Sequence, residues 1–226
     1  MARSIHCGYH YHVCSHGQGP VMALAAACDR DHFESLLLHT AHDGASAIVA
    51  YAVLPDRFHL LLTECQPHGI SQRLHRLLST YAHWHRSRYQ QSGGLWRGRF
   101  KAFPVEPGTT LNTVVSCIEY MPVRLGLVDC PVAWSWSSSR PNVDSLTAPG
   151  MRSSVNPATA PRERDSPAHP PSEQVLQTFE QCIARSAPMG SPGWVNQVAQ
   201  AHDLSHTLRP RGRPRGSGRR VPLAVD

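Results

Sequence analysis

The chain has 226 residues, enough for one well-buried domain and an appendage. Its 22 Lys and Arg residues outnumber its 16 Asp and Glu residues, and the formal net charge of +6 suits an anionic partner such as nucleic acid. The seven cysteines form no C-x-x-C pair, no apolar run approaches the roughly 18 residues of a membrane span, and no signal-peptide pattern opens the chain. These features argue against a disulfide framework, a membrane protein and a secreted protein, and we expect a cytoplasmic, nucleoid-associated one.

The first half of the chain predicts a strand, a helix and a hairpin. Aromatic and polar residues alternate over 9–15, which is typical of a half-buried strand. Asp31 and Glu34 resemble a capping box at the start of a helix. Small apolar residues over 45–54, a Pro-Asp turn and a second apolar run over 58–63 then predict two antiparallel strands.

Two long helices with a strand between them follow. Ser71 can cap the first helix, which should end before Gly93. Residues 97–105 read as a short strand, and Thr110 can cap the second helix, which Pro122 should end or kink. The order β-α-β-β-α-β-α predicts an α+β domain, an antiparallel sheet with helices on one face.

The C-terminal part changes composition. We predict a domain over 1–141, a linker over 142–172 that is rich in proline and serine, a small helical module over 173–206 and a disordered basic tail over 207–226. In the module, Val175, Leu176, Phe179 and Ile183 recur at helical spacing, and Ser191-Pro192 opens a second helix.

The central segment between Glu64 and Glu106 contains no acidic residue. Its cations interleave with aromatic residues, a mixture that suits single-stranded DNA because cations follow phosphates while aromatic faces stack unpaired bases. We predict that this segment binds DNA, although about half of its aromatic residues should belong to the core. The candidate contacts are Arg73, Arg76, Trp96, Arg97, Arg99 and Lys101.

The tail contains a short motif of its own, Pro210-Arg211-Gly212-Arg213-Pro214. It matches the core of an AT-hook, in which glycine lets the backbone lie on the floor of a narrow minor groove while Arg211 and Arg213 follow it. Arg215, Arg219 and Arg220 extend the charge of the tail, so nonspecific phosphate contact is the simpler alternative.

One short N-terminal stretch is rich in potential metal ligands. Cys7, His10, His12, Cys14 and His16 lie within ten residues, and four of them would be enough for a zinc site. The chain has 15 histidines, so crowding by chance explains the stretch as well.

The segment 54–62, Leu-Pro-Asp-Arg-Phe-His-Leu-Leu-Leu, resembles the "MPNHxHLLL" strand of the REP-associated tyrosine transposases. These belong to the HUH single-strand DNA transposases. Further blocks follow that family's pattern in order and spacing over roughly residues 1–140: Tyr11-His12-Val13, residues 94–101 (GLWRGRFK), Ile118-Glu119, Pro122-Val123-Arg124 and residues 134–138 (WSWSS). The resemblance implies a ferredoxin-like, usually dimeric domain that recognises a DNA hairpin. It also implies a divalent metal and a tyrosine that attacks a phosphodiester.

The site positions depart from the family's pattern. Arg57 stands where the resemblance implies the first metal-binding histidine, which leaves His59 as the remnant of a lost site. Cys117 stands at the position of the nucleophilic tyrosine, and Met121 replaces an asparagine. Tyr120 is the nearby candidate for a substitute nucleophile.

We therefore predict a DNA-binding homodimer that prefers single-stranded or hairpin DNA, has lost catalysis and needs no cofactor. In this interpretation Arg57 contributes another phosphate contact. The first alternative is an active transposase or endonuclease that uses Tyr120, His59 and Mg²⁺ or Mn²⁺, with further ligands such as His12 or His10. The second is a metal-independent nucleic-acid chaperone.

Overall fold

The computed structural model of the protein describes residues 5–19, 22–40, 46–140 and 170–209. The strands are β1 (His10–His16), β2 (Ser46–Val53), β3 (Arg57–Glu64) and β4 (Lys101–Val105). The helices are α1 (Ala27–His39), α2 (Gly69–Tyr89), α3 (Thr109–Glu119), α4 (Met121–Arg124), α5 (Glu173–Arg185), α6 (Pro192–Ala201) and α7 (Ser205–Leu208). Within the described ranges, no helix is both long and apolar enough to cross a bilayer.

The four strands form one antiparallel sheet in the order β2-β3-β1-β4. The two central strands, β1 and β3, are joined through α1 and the β2-β3 hairpin, so the chain has the β-α-β-β-α-β connectivity of a ferredoxin-like sheet. The predicted α+β, ferredoxin-like architecture is confirmed.

Helices α1 and α2 cover one face of the sheet. Side chains alternate between the two faces of a strand, so every second residue of β1 and β3 points toward these helices. The apolar core on this face includes Tyr11, Val13, Phe33, Leu37, Leu60, Leu62, Leu74, Leu77 and Tyr81. These helices match the predicted layer on one face.

Helices α3 and α5 form a second layer on the opposite face, so helices cover both faces of the sheet and not one, as the sequence predicts. Here the alternate strand residues, including Ala50, Ala52, Leu61 and Phe103, pack against Val114, Cys117, Ile118, Phe179 and Cys182. The sheet is thus buried on both sides, and the C-terminal module contributes to its core.

Several contacts hold the C-terminal module in place. Val105 at the end of β4 pairs with Met189, and both side-chain oxygens of Glu106 accept hydrogen bonds from Ser191, just before α6. Arg124 forms an ion pair with Glu180 at 2.7 Å. The four-part division of the chain stays a prediction, because 141–169 and the tail from residue 210 lie outside the described residues.

Strand β4 begins at Lys101, four residues later than the sequence predicts. Gly98 has φ +72°, a left-handed conformation that interrupts the strand. The preceding loop still contacts the end of β1: Trp96 bridges to Gly17, and the Arg97 N–H donates to the His16 carbonyl at 2.8 Å.

Candidate functional site

Two histidines and one cysteine converge on the sheet face beneath α5. Cys14 of β1 lies directly opposite His59 of β3, and His12, two residues before Cys14, points to the same side of the sheet. The ligand atoms of His12, Cys14 and His59 all lie within 4.8 Å of one another. We call these three residues the His-Cys cluster.

The His-Cys cluster is closed off from solvent by aromatic rings. His12 and Cys14 are 0% exposed and His59 is 2% exposed. The rings of Phe103 and Phe179 have their centroids 4.7 and 4.8 Å from that of His12. The C-terminal helix α5 therefore supplies the cover of the cluster through Phe179.

Burial sets the protonation state of both imidazoles. It lowers the pKa of His12 well below its ordinary value, with His59 as the second cause. Burial first, then Arg57 and His16, lower the pKa of His59 to about 3. Both rings are neutral near pH 7, and His12 Nε2 lies 3.1 Å from His59 Nδ1.

Arg57, at the position where the resemblance implies a metal-binding histidine, is paired with its neighbour Asp56. Its Nε lies 2.9 and 3.0 Å from the two carboxylate oxygens, and a terminal nitrogen lies 2.6 Å from Asp Oδ2. The predicted phosphate contact by Arg57 would therefore compete with an existing ion pair.

The two α3 positions singled out in the sequence differ in access. Cys117 is 0% exposed, and burial raises the pKa of its thiol to about 11. Tyr120 is half-buried at the junction of α3 and α4, and Met121 packs in the core beside α3. Cys117 is not one of the residues that form the His-Cys cluster.

A groove of about 450 Å³ runs between α2 and the 94–100 loop, on the far side of the sheet from the cluster. We call it the α2 groove. No carboxylate lines it, whereas His75, Arg86, Trp96, Arg99 and Phe100 do. It therefore combines cations with aromatic faces.

The predicted DNA contacts divide into exposed and buried groups. Arg76, Arg97 and Arg99 are exposed, and the half-buried Trp96 lines the α2 groove. Arg73 is only 2% exposed and its Nε donates to the Thr40 carbonyl at 3.1 Å. Arg211, Gly212 and Arg213 lie outside the described residues.

More cations gather at the end of β1. Burial first and Arg57 next lower the pKa of His16, with smaller contributions from Lys101 and Arg97 and an opposing one from Asp56. The Nζ of Lys101 donates to the Ile183 carbonyl at 2.9 Å, at the end of α5. This basic surface adjoins the 94–100 loop, one wall of the α2 groove.

The sequence interpretation missed His75, and it counted Arg86 among the cations of the acid-free segment without naming it as a candidate contact. They belong to the α2 face that carries Ser71, His75, Ser79, Ala82 and Arg86. Spacings of three and four residues place these side chains on one stripe of the helix, beside the buried stripe. That spacing is the signal that could have identified them.

A family profile described as "Transposase IS200 like" matches residues 5–120, just over half of the chain. This chain belongs to the IS200-like transposase family. The comparison with curated proteins found no match.

Solved structures add the fold of this member of the IS200-like transposase family. One relative is a REP-associated tyrosine transposase bound to a REP hairpin, 18% identical, with a TM-score of 0.53 over 61% of this chain and 81% of that one. Another, from Deinococcus radiodurans R1 and named as a transposase, is 23% identical with a TM-score of 0.36 over 46% of this chain and 86% of that one. The first of these supports the shared fold.

The donor atoms in this family member do not fit the hard divalent cation that the family implies. The resemblance implies two histidines and an asparagine as its ligands, and of these only His59 remains. The His-Cys cluster adds the thiol of Cys14, a soft donor that Mg²⁺ and Mn²⁺ do not prefer. Arg57 is a cation and Met121 carries no oxygen in its side chain. No step of phosphodiester chemistry through such a metal follows from these residues.

Proposed function

We propose that this member of the IS200-like transposase family is a DNA-binding protein that prefers single-stranded or hairpin DNA and does not cleave it. The α2 groove, which no carboxylate lines, is the observation that supports DNA binding. Its Arg86 and Arg99 offer charge to phosphates, while Trp96 and Phe100 offer rings to unpaired bases. Stacking of this kind contributes about 1–3 kcal/mol per base.

The hairpin preference has further support in the fold. The solved structure of a REP-associated tyrosine transposase of the same fold has that protein bound to a REP hairpin. At 18% identity that likeness reaches only the fold, so hairpin binding by this chain belongs to the proposal.

We also propose a homodimer, which sedimentation equilibrium of the full chain would test: a monomer at micromolar concentration would contradict it.

The proposed absence of cleavage rests on three side chains, those of Arg57, Cys117 and Phe179. Phosphodiester attack needs a positioned nucleophile and a cation that stabilises charge on the phosphate oxygens. Arg57 is held by Asp56 where a ligand is implied, and Cys117 is a buried thiol with a raised pKa. Phe179 also covers the imidazoles of His12 and His59, so substrate has no access to them in this conformation.

The binding experiment compares a labelled hairpin with a blunt duplex of the same stem sequence at matched salt. We expect the full chain to bind the hairpin more tightly, because only the hairpin and its flanks offer unpaired bases to the α2 groove. Equal affinity for the two DNAs would contradict the preference.

The cleavage experiment incubates the hairpin with protein and Mg²⁺ or Mn²⁺ and resolves the products on a denaturing gel. We expect neither cleaved DNA nor a covalent adduct. An adduct in the parent that disappears in Tyr120→Phe would establish the active alternative with Tyr120 as nucleophile.

A gain-of-function variant separates loss of catalysis from a wrong assignment of the site. Arg57→His, Cys117→Tyr and Met121→Asn together restore the implied side chains. Cleavage by the triple variant alone would support a lost activity at these positions. If the triple variant folds and binds the hairpin but does not cleave it, the result counts against a lost activity at these three positions.

A further inference from the structure

The His-Cys cluster has a geometry that a purely apolar core does not require. It brings three donor side chains from two neighbouring strands to one point, with the His12 and His59 rings nearly parallel at an interplanar angle of 11°. In the part of the chain that the structure describes, this is the one group of three or more His, Cys, Asp or Glu side chains with metal-binding proximity.

The hydrogen bonds of the cluster are incomplete without a further partner. Two neutral imidazoles can share only one proton between His12 Nε2 and His59 Nδ1. The remaining nitrogens, His12 Nδ1 and His59 Nε2, are buried with no hydrogen-bond partner. Buried polar atoms are nearly always paired, so these two nitrogens leave the buried cluster short of hydrogen-bond partners.

We infer that His12, Cys14 and His59 together bind one soft metal ion, zinc(II) or copper(I), that braces β1 against β3. Two imidazole nitrogens and a thiolate are the donors that these ions prefer. Binding releases the thiol proton of Cys14 to solvent. The ligand set shares only His59 with the histidine pair that the family resemblance implies.

The surroundings limit which ions can enter. The cluster contains no carboxylate and is walled by Phe103 and Phe179, so an ion that needs six oxygen ligands has no place there. Copper(I) with one thiolate leaves the site electrically neutral, and zinc(II) leaves one positive charge. Copper(I) accepts three ligands of this kind, whereas zinc(II) needs a fourth ligand in addition to these three.

The first test uses cobalt(II) as a coloured substitute for zinc(II) in the full chain. The four exposed cysteines, Cys7, Cys28, Cys65 and Cys130, are changed to serine in every variant to remove competing thiols. We expect one cobalt ion per chain with a thiolate-to-cobalt charge-transfer band. Cys14→Ser should abolish the band and weaken binding by about tenfold or more.

A matched control comes from the same side of the sheet. Cys117 is equally buried but lies outside the cluster, so Cys117→Ser should keep the band. Loss of the band in Cys117→Ser, or its survival in Cys14→Ser, would overturn the assignment. So would the absence of any band in the parent.

X-ray absorption of the parent needs no ligand variant and therefore does not depend on whether Cys14→Ser folds. For zinc we expect one sulfur at about 2.3 Å and nitrogen ligands at about 2.0–2.1 Å. A copper(I) titration against a chelator distinguishes the two ions by affinity. A shell without sulfur for both ions would overturn the proposal.

Discussion

Cys117 lies on α3 with none of its surface exposed, and burial raises the pKa of its thiol to about 11. At pH 8 roughly one molecule in a thousand carries the thiolate, which is the reactive form. We expect iodoacetamide to leave Cys117 unmodified in the folded protein while the exposed Cys7, Cys28, Cys65 and Cys130 react. Peptide mass spectrometry before and after unfolding would measure this. Labelling of Cys117 at the rate of the exposed thiols would reveal an accessible site.

Removal of the charge of Arg73 should lower the stability of the fold, whereas removal of the charge of Arg99 should weaken DNA binding. Arg73 is buried and bonded to the Thr40 carbonyl, so Arg73→Met should lower the free energy of unfolding by about 1–3 kcal/mol. Exposed Arg99 lines the α2 groove, so Arg99→Gln should leave stability unchanged and reduce the salt slope of DNA binding by about one. Urea unfolding and binding at several salt concentrations separate the two effects. Equal loss of binding in both folded variants would contradict this division.

The sequence identified the cations but not all of their environments. Composition alone groups Arg73 with Arg76 and Arg99, because all lie in the acid-free segment. Helical spacing separates them: Arg73 falls on the stripe of Ile70, Leu74 and Leu77, which the structure buries.

The His-Cys cluster could be predicted only in part. Crowding of His12 and Cys14 in β1 is visible locally. The third member, His59, joins them through the register of β1 against β3, and a pairing between residues 45 positions apart depends on tertiary packing.

At the scale of elements, most strands and helices follow from periodicity, but the start of α1 does not. The capping box predicted at Asp31 and Glu34 is wrong, because the helix begins at Ala27 and Asp29 accepts the Ala26 N–H at 3.0 Å. Both predicted capping residues instead accept hydrogen bonds from residues that are distant in the sequence. Trp136 donates to Asp31 at 2.8 Å, and the Tyr51 hydroxyl donates to Glu34 at 2.8 Å. Local sequence contains no signal for either contact.

Helix α5 should be part of the folding core. Phe179 is 0% exposed between His12 and the α3 layer, so Phe179→Ala should cost about 3–5 kcal/mol of unfolding free energy. Glu180→Gln on the same helix is the matched control. It removes the exposed ion pair with Arg124, which should contribute about 1 kcal/mol or less. Urea denaturation would measure both, and near-parent stability of Phe179→Ala would mean that α5 is not packed on the sheet in solution.

At the scale of the whole molecule, amphipathic spacing predicts α5 and α6, and Ser191-Pro192 opens α6 as predicted. The spacing does not reveal where the apolar sides of α5 and α6 dock, because their docking depends on the sheet face beside β4, which only the tertiary structure defines. A module that reads as a separate unit in the sequence therefore contributes Phe179, Cys182 and Met189 to the main core.

The basic tail should add affinity without adding specificity for the hairpin. Deletion of residues 210–226 removes five arginines and spares α7, in which Thr207 is buried. We expect weaker binding and a smaller salt slope, with a larger loss on A·T-rich than on G·C-rich flanks, because Arg211 and Arg213 would insert into a narrow minor groove. Gly212→Ala is the matched control: it keeps every charge but places a methyl group against the groove floor. That variant should lose the A·T preference while its salt slope stays near the parent value. Measurements at three or more salt concentrations on both flanks decide the matter, and a deletion that changes neither affinity nor slope would show that the tail does not contact DNA.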